Sequence, residues 1–213
     1  MNNIEAAIFD LDGTLVDSMW VWEQIDIDYL SKFGHAVPSN LVDEITHLSF
    51  SETANYFKTR FELEDTIENI MCSWSDMAFN YYSNVVKLKP GALEYLNKLK
   101  NSNIKIALAT SNSRPLLETV LKNNGIYDLF DCITTTDEVA RNKNYPDIYL
   151  HSAEKLNVAP ENCIVFEDVI AAVIGAKAAD MTVVAVYDKH SEHQSELLQT
   201  TADKYIADYF QLI

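Results

Sequence analysis

Two carboxylates stand two residues apart at Asp10 and Asp12, and Gly13 and Thr14 follow at once. The residues before them, Ile4 to Phe9, are mostly apolar, so the pair marks the exit of a strand buried on both faces. Side chains two apart on a strand point the same way, which puts both acids on one side. Gly13 permits a sharp turn, and Thr14 brings a hydroxyl and a backbone donor. Two acids buried together are costly unless a cation, a proton or a substrate compensates them. That requirement is a signature of chemistry.

Three further segments carry groups that belong with such a pair. Ala109-Thr110-Ser111-Asn112-Ser113 precedes Arg114-Pro115. Ser113 or Asn112 is expected to cap a helix there, with Pro115 in its first turn. Free backbone N–H groups and hydroxyls at the same place make an anion site, with Thr110, Ser111 and Asn112 joining Gly13 and Thr14 as candidate anion ligands. Lys143 lies in the loop Arg141 to Asp147, where a lysine taken alone is a solvated charge. Glu167-Asp168 ends the apolar run Cys163 to Phe166. Asp168 is placed to cap a following helix, but capping does not account for a second acidic pair. Carboxylates about 4 Å apart repel by ~4 kcal/mol at an effective dielectric of ~20. Asp10, Asp12, Glu167 and Asp168 brought together therefore need a divalent cation, protonation or both. An all-oxygen ligand set favours Mg²⁺ over zinc or copper, and no His or Cys cluster competes for a metal. Lys143 neutralises what remains.

The elements that would position these residues alternate strand and helix. Strands are expected at Ile4–Asp10, Ile104–Thr110, Cys132–Thr136, Cys163–Glu167 and Thr182–Tyr187, with a short one near Tyr205-Ile206. Helices are expected at Gly91–Leu99, Pro115–Asn123, Pro146–Leu156 and Ile170–Ala179. Such alternation gives an α/β fold, a Rossmann-like doubly wound parallel sheet with its ligand site at the strands' carboxyl ends. From Ser18 to about Val85 the texture is helical and aromatic instead. Trp22, Ile25 and Tyr29 share one helical face; Gly34 to Pro38 is a turn; a short helix follows near Leu41 to Thr46. Ser49 to Glu52 has capping-box spacing for a third helix through Phe57. Asp65-Thr66 opens a fourth carrying Met71, Trp74, Ala78 and Tyr81. The expected organisation is a core of residues 1–15 and 87–213, with a four-helix cap of residues 16–86 inserted after the first strand and hinged near Thr14–Ser18 and Val85–Pro90.

Composition narrows the partners. With 16 basic and 32 acidic residues among 213, the net charge is −16, which repels nucleic acid and anionic membranes. No apolar run approaches the roughly 20 residues of a membrane span, and the N-terminus lacks signal-peptide character. The three scattered cysteines, Cys72, Cys132 and Cys163, read as small buried hydrophobes in a reducing compartment, so the cytoplasm is the expected location. A monomer is expected.

Taken in order, Asp10-Leu11-Asp12-Gly13-Thr14-Leu15-Val16-Asp17-Ser18, Thr110 after Ala107-Leu108-Ala109, Lys143 with Pro146-Asp147-Ile148-Tyr149, and Phe166-Glu167-Asp168 resemble the haloacid dehalogenase superfamily along essentially the whole chain. The likeness is to its phosphatase branch, close to β-phosphoglucomutase. It implies that Asp10 is the nucleophile, forming an aspartyl-phosphate, and that Asp12 is the general acid and base. It gives Thr110 a hydrogen bond to the transferring phosphoryl group and Lys143 the steadying of its charge. It assigns Mg²⁺ to Asp10, the backbone carbonyl of Asp12 and Asp168, with Glu167 close by or acting through water.

Several residues depart from the family pattern. Asn144 replaces a proline and Asn142 a glycine around Lys143; since Asn tolerates left-handed backbone, the turn is expected to survive. Val169 and Ala172 stand where Ser and Gly are frequent, which is expected to loosen the surroundings of the metal. In the cap, Trp22 replaces a mutase histidine and Phe50 a mutase arginine, and His47 replaces a glycine; these three are the candidate substrate-facing residues. The losses at Trp22 and Phe50 favour hydrolysis of a small phosphorylated metabolite over phosphosugar isomerisation, and Asp12 disfavours dehalogenation. A receiver-like phosphoaspartate switch is a different class of reading, distinguished by a long-lived phosphoenzyme; an inactive phosphometabolite binder would bind ligand without releasing phosphate.

Overall fold

The computed structural model describes residues 4–45, 48 and 50–213. They form two compact units, Trp20–Val85 and the remainder of the chain on either side of it. The larger unit is built on a parallel sheet of β1 (Ala6–Phe9), β2 (Lys105–Thr110), β3 (Cys132–Thr135), β4 (Cys163–Glu167), β5 (Thr182–Val186) and β6 (Lys204–Ile206). Its strand order is β3-β2-β1-β4-β5-β6. The order reverses beside β1, so the crevice at the carboxyl end of β1 is the topological switch point. Phe9 pairs in register with Leu108 of β2 and Phe166 of β4. Asp10 therefore leaves the sheet level with Ala109 and Glu167. β1 and β4 are buried along their whole length, as continuous apolar strands in a doubly covered sheet should be.

The two-residue alternation of the strands decides which face receives each acid. Ala6, Ile8, Cys163 and Val165 join the core on one face, against residues of α7 (Asp147–Leu156) and α8 (Ile170–Lys177). Phe9 and Phe166 stack on the opposite face, 4.5 Å apart, with Tyr95 of α5 (Ala92–Asn101) and Tyr209. Two residues beyond Ile8 and Val165, Asp10 and Glu167 fall on the α7 and α8 side. α6 (Arg114–Asn123) follows β2, and α9 (Ser195–Thr201) precedes β6. The sequence pattern did not suggest α9, because only Leu198 among its seven residues is buried and no apolar stripe is visible. Most other boundaries differ from expectation by one to three residues, as at β1, which stops at Phe9 rather than Asp10.

The smaller unit holds α1 (Val21–Ser31), α2 (Leu41–Ile45), α3 (Phe50–Arg60) and α4 (Ile67–Asn84). Thr66 caps α4 through Asn69 N–H at 3.2 Å. The buried face of α1 is Val21, Ile25, Tyr29 and Leu30, spaced by four and then one. Trp22 is therefore off that face and 43% exposed, against the expectation that it shares it. In α4 the buried residues are Ile70, Trp74, Ala78 and Tyr82; Met71 and Tyr81 sit one position off the stripe and are half-buried. Thr46, His47 and Ser49, with the capping box proposed for Ser49, lie outside the described residues.

Within the larger unit, the chain leaving β1 and the chain returning toward α5 pair as a short antiparallel ribbon. Asp17 N–H donates to Lys87 O at 3.0 Å and Lys89 N–H to Leu15 O at 2.8 Å. The Lys89 ammonium is buried, and it reaches Asp188 Oδ2 at 2.8 Å and Tyr187 O at 2.6 Å beyond the end of β5. Of the cysteines only Cys163 is fully buried; Cys132 is half-buried and Cys72 exposed, so the expectation of three buried thiols fails for Cys72.

Candidate active site

Asp10, Glu167 and Asp168 gather at the ends of β1 and β4, all buried, with one carboxylate oxygen of each within 4.8 Å of the others. Lys143 enters this cluster from the loop ahead of α7. Its ammonium donates to Asp10 Oδ1 and, at 2.6 Å, to Glu167 Oε1. At 11% side-chain exposure it is not a solvated loop charge. Burial works against its charge, but Asp10 and Glu167 outweigh this and hold it above the ordinary lysine range. Tyr149, buried on α7, donates to the same Glu167 oxygen at 2.8 Å. Burial, with Asp10 adding to it against Lys143, pushes the Glu167 carboxyl up to about 7. Burial followed by Asp10 and Glu167 raises Asp168 well above the carboxylate range.

Asp12 is not one of the three grouped carboxylates. Its Oδ1 accepts from Ser18 Oγ at 2.6 Å and its Oδ2 from Asn112 Nδ2 at 2.8 Å. The two acids thus differ in their partners, although strand alternation predicts that they share a side. Asp12 lies in the turn that follows Leu11, with Leu15 N–H and Val16 N–H both returning to Leu11 O at 2.9 and 3.0 Å. Nothing local in the sequence marks Ser18 or Asn112 for this role; the fold brings residue 112 to residue 12.

Gly13 is required on two counts. Its φ is +78°, and a Cβ there would lie 2.3 Å from Asp168 Oδ2. Thr14 directs its hydroxyl to Asp168 Oδ1 at 3.2 Å, so it orients an acid instead of standing free for an anion. Thr110, buried at the end of β2, accepts Asn112 N–H on Oγ1 at 3.0 Å, and that bond leaves its hydroxyl hydrogen for another acceptor. Ser111 is exposed beside it. The helix cap expected of Ser113 or Asn112 is not made. Ser113 occupies the N-cap position of α6 without a side-chain bond, and the Asn112 amide is turned to Asp12. Asp168 likewise does not cap α8, whose N-cap position is Val169.

The departures around Lys143 have structural answers. Neither Asn142 nor Asn144 is left-handed; Asn142 Oδ1 instead accepts Asn144 N–H at 3.2 Å and closes the turn as an Asx bond. Gly175 in α8 permits this loop to lie against the helix, since a Cβ there would meet Lys143 O at 2.0 Å. In the smaller unit, Trp22 and Phe50 are both exposed, with ring centroids 5.9 Å apart and edge to face. His47 is not among the described residues.

Residues 7–186 match the model of the haloacid dehalogenase-like hydrolases. The chain belongs to that family. A phosphorylated carbohydrates phosphatase of Thermotoga maritima is 33% identical over 177 residues, 83% of this chain and 82% of that protein. Hexitol phosphatase B of Escherichia coli is 28% identical over 86% of this chain and 83% of its own. The crystal structure of a β-phosphoglucomutase from Clostridium difficile superposes with a TM-score of 0.72 at 27% identity, over 99% of this chain and 93% of that one. The resemblance read from the four motifs holds, and so does the enzyme class it implied, a phosphoric monoester hydrolase. Among the described residues no helix is long and apolar enough to cross a membrane.

The acidic cluster suits the Mg²⁺ usual in this family. Glu167 Oε2 and Asp168 Oδ2 are buried without a hydrogen-bond partner among the described residues, and every donor atom in the cluster is a carboxylate oxygen. Buried bare carboxylate oxygens are costly, and a hard divalent cation is the ligand that relieves them.

Proposed function

We propose that this hydrolase is a Mg²⁺-dependent phosphatase of small phosphorylated metabolites, sugar phosphates foremost, acting through a phosphoaspartate on Asp10. The observation that carries the reading is the divergence of the two acids. Asp10 sits with Lys143 and the bare carboxylate oxygens, while Asp12 is held separately by Ser18 and Asn112. A nucleophile and a proton carrier need such different surroundings. Asp10, Glu167 and Asp168, with the backbone carbonyl of Asp12, would hold the Mg²⁺, which when bound neutralises phosphoryl charge.

A carboxylate oxygen of Asp10 attacks phosphorus as the bond to the leaving oxygen breaks, and Asp12 gives that oxygen its proton. Asp12 then takes a proton from water, whose oxygen attacks phosphorus and releases Asp10. Thr110 donates its hydroxyl hydrogen to a phosphoryl oxygen, with the N–H groups about Ser111 beside it, and Lys143 stabilises the charge that develops. Trp22, Phe50 and His47 are assigned to substrate choice in the helical unit, which acts as a cap. Aromatic side chains at 22 and 50 offer no cation for a second phosphate, which favours hydrolysis over mutase chemistry. The names of the relatives support sugar phosphates as the substrate class. The three free cysteines fit a reducing cytoplasm.

The test is phosphate release with Mg²⁺ from p-nitrophenyl phosphate, then from a panel of sugar, nucleotide and cofactor phosphates, with β-glucose 1-phosphate isomerisation as control. Asp10→Asn should abolish release; activity persisting in that variant would overturn the nucleophile assignment. A phosphoenzyme that outlives turnover would favour a receiver-like switch instead.

A further inference from the structure

We propose that Gln194 is a positioning residue for Asp168, acting by closing the N-terminus of α8 from outside the helix. Only Asp168 and Val169 separate the end of β4 at Glu167 from Ile170, the first residue of α8. Val169 holds the N-cap position in extended conformation, and its side chain has no acceptor with which to satisfy the first amides. The acceptor comes from 24 residues further on. Ile170 N–H donates to Gln194 Oε1 at 2.9 Å. The other end of the same carboxamide, Nε2, lies 3.2 Å from His193 Nε2.

Asp168 depends on this closure because little else orients it. Its Oδ1 accepts the Thr14 hydroxyl at 3.2 Å, its Oδ2 has no partner among the described residues, and the missing Cβ of Gly13 leaves room beside that oxygen. The backbone carrying it is fixed on one side by β4 pairing with β1 and β5. On the other side it is fixed by the first turn of α8, where Gln194 is the side chain that binds. The loosening expected from valine at position 169 is thus offset by a residue with no place in any local motif.

The proposal rests on the reading of Asp168 as a metal ligand, and the experiment separates the two. Mg²⁺ binding is measured by isothermal titration, and hydrogen exchange of the amides at 168–172 is measured alongside. Gln194→Met keeps length and removes the acceptor; it should weaken Mg²⁺ about tenfold, within the range found for residues that support metal ligands, and speed exchange at the start of α8. Gln194→Glu keeps both the length and the acceptor for Ile170 N–H, and should leave both readouts within about twofold of the parent protein. A parent protein that takes up no Mg²⁺ would defeat the reading of Asp168 before any variant is made. Wild-type affinity in Gln194→Met, or an equal loss in Gln194→Glu, would overturn the capping role itself.

Discussion

Asn112 donates its side-chain amide to Asp12 Oδ2 at 2.8 Å, across 100 positions of sequence. With Ser18 on the other oxygen, this holds the Asp12 carboxylate in one orientation. Positioned acid–base groups contribute roughly 10²–10⁴ in rate. Losing one of two orienting bonds should therefore lower kcat about tenfold in Asn112→Ala, with KM changed by less than about twofold. A phosphate-binding role for Asn112 predicts the reverse split. Steady-state kinetics on the best substrate decides between them, and a rise in KM at constant kcat would restore Asn112 to the phosphate site.

Gly175 lies inside α8, where alanine would ordinarily stabilise a helix by ~1 kcal/mol. Here the added Cβ would meet Lys143 O at 2.0 Å and Tyr145 O at 3.0 Å. Both are backbone atoms, so the loop itself must move. Gly175→Ala is expected to destabilise by about 1–3 kcal/mol, the usual cost of overpacking. Because Lys143 shifts with the loop, kcat should fall by about tenfold or more. Denaturant midpoints and kcat on the same preparation test this; a stabilised, fully active variant would show that the loop yields without consequence.

The strand exits were legible in the sequence because Ile8, Phe9, Val165 and Phe166 lie in continuous apolar runs, which occur where both faces of a sheet are covered. Lys143 could be selected only by resemblance, since a loop lysine has no periodicity. What stayed hidden depends on partners distant in sequence. The need for Gly175 is set by a carbonyl at residue 143, the cap of α8 by Gln194, and the divergence of Asp12 by Asn112. Trp22 differs from expectation for another reason: on α1, Val21 and Trp22 are both apolar, and only packing shows that the stripe runs through Val21, Ile25 and Tyr29.

Tyr149 and Lys143 share one oxygen of Glu167, leaving Oε2 bare. Tyr149→Phe removes one hydroxyl from a buried site while keeping the ring that fills it. Hydrogen bonds to charged groups contribute about 1.5–3 kcal/mol. A carboxylate freed to rotate should raise the Mg²⁺ concentration for half-maximal binding about three- to tenfold. Titration calorimetry reads this apart from turnover; unchanged affinity would mean that Lys143 alone orients Glu167.

Asp26 in α1 gives the helical unit its own pH dependence. Burial first, and Glu23 second, raise its carboxyl from 3.8 to about 7. The folded unit therefore keeps this proton up to about pH 7, whereas the unfolded chain releases it near pH 4. Stability linked to Asp26 is fully present below pH 4 and is lost as pH rises through 7. Asp26→Asn removes this loss, so it should match the parent near pH 4 and exceed it at pH 8. A full shift at ~1.4 kcal/mol per unit sets an upper bound of roughly 4 kcal/mol. Asp26 keeps some contact with water, and screening reduces the expected gain to about 1–2 kcal/mol. All three tryptophans, Trp20, Trp22 and Trp74, belong to the helical unit, so their fluorescence reports its unfolding separately from the sheet. Urea midpoints for parent and variant should coincide at pH 4 and separate at pH 8. Equal midpoints at both values would mean that Asp26 ionises in the folded unit without cost.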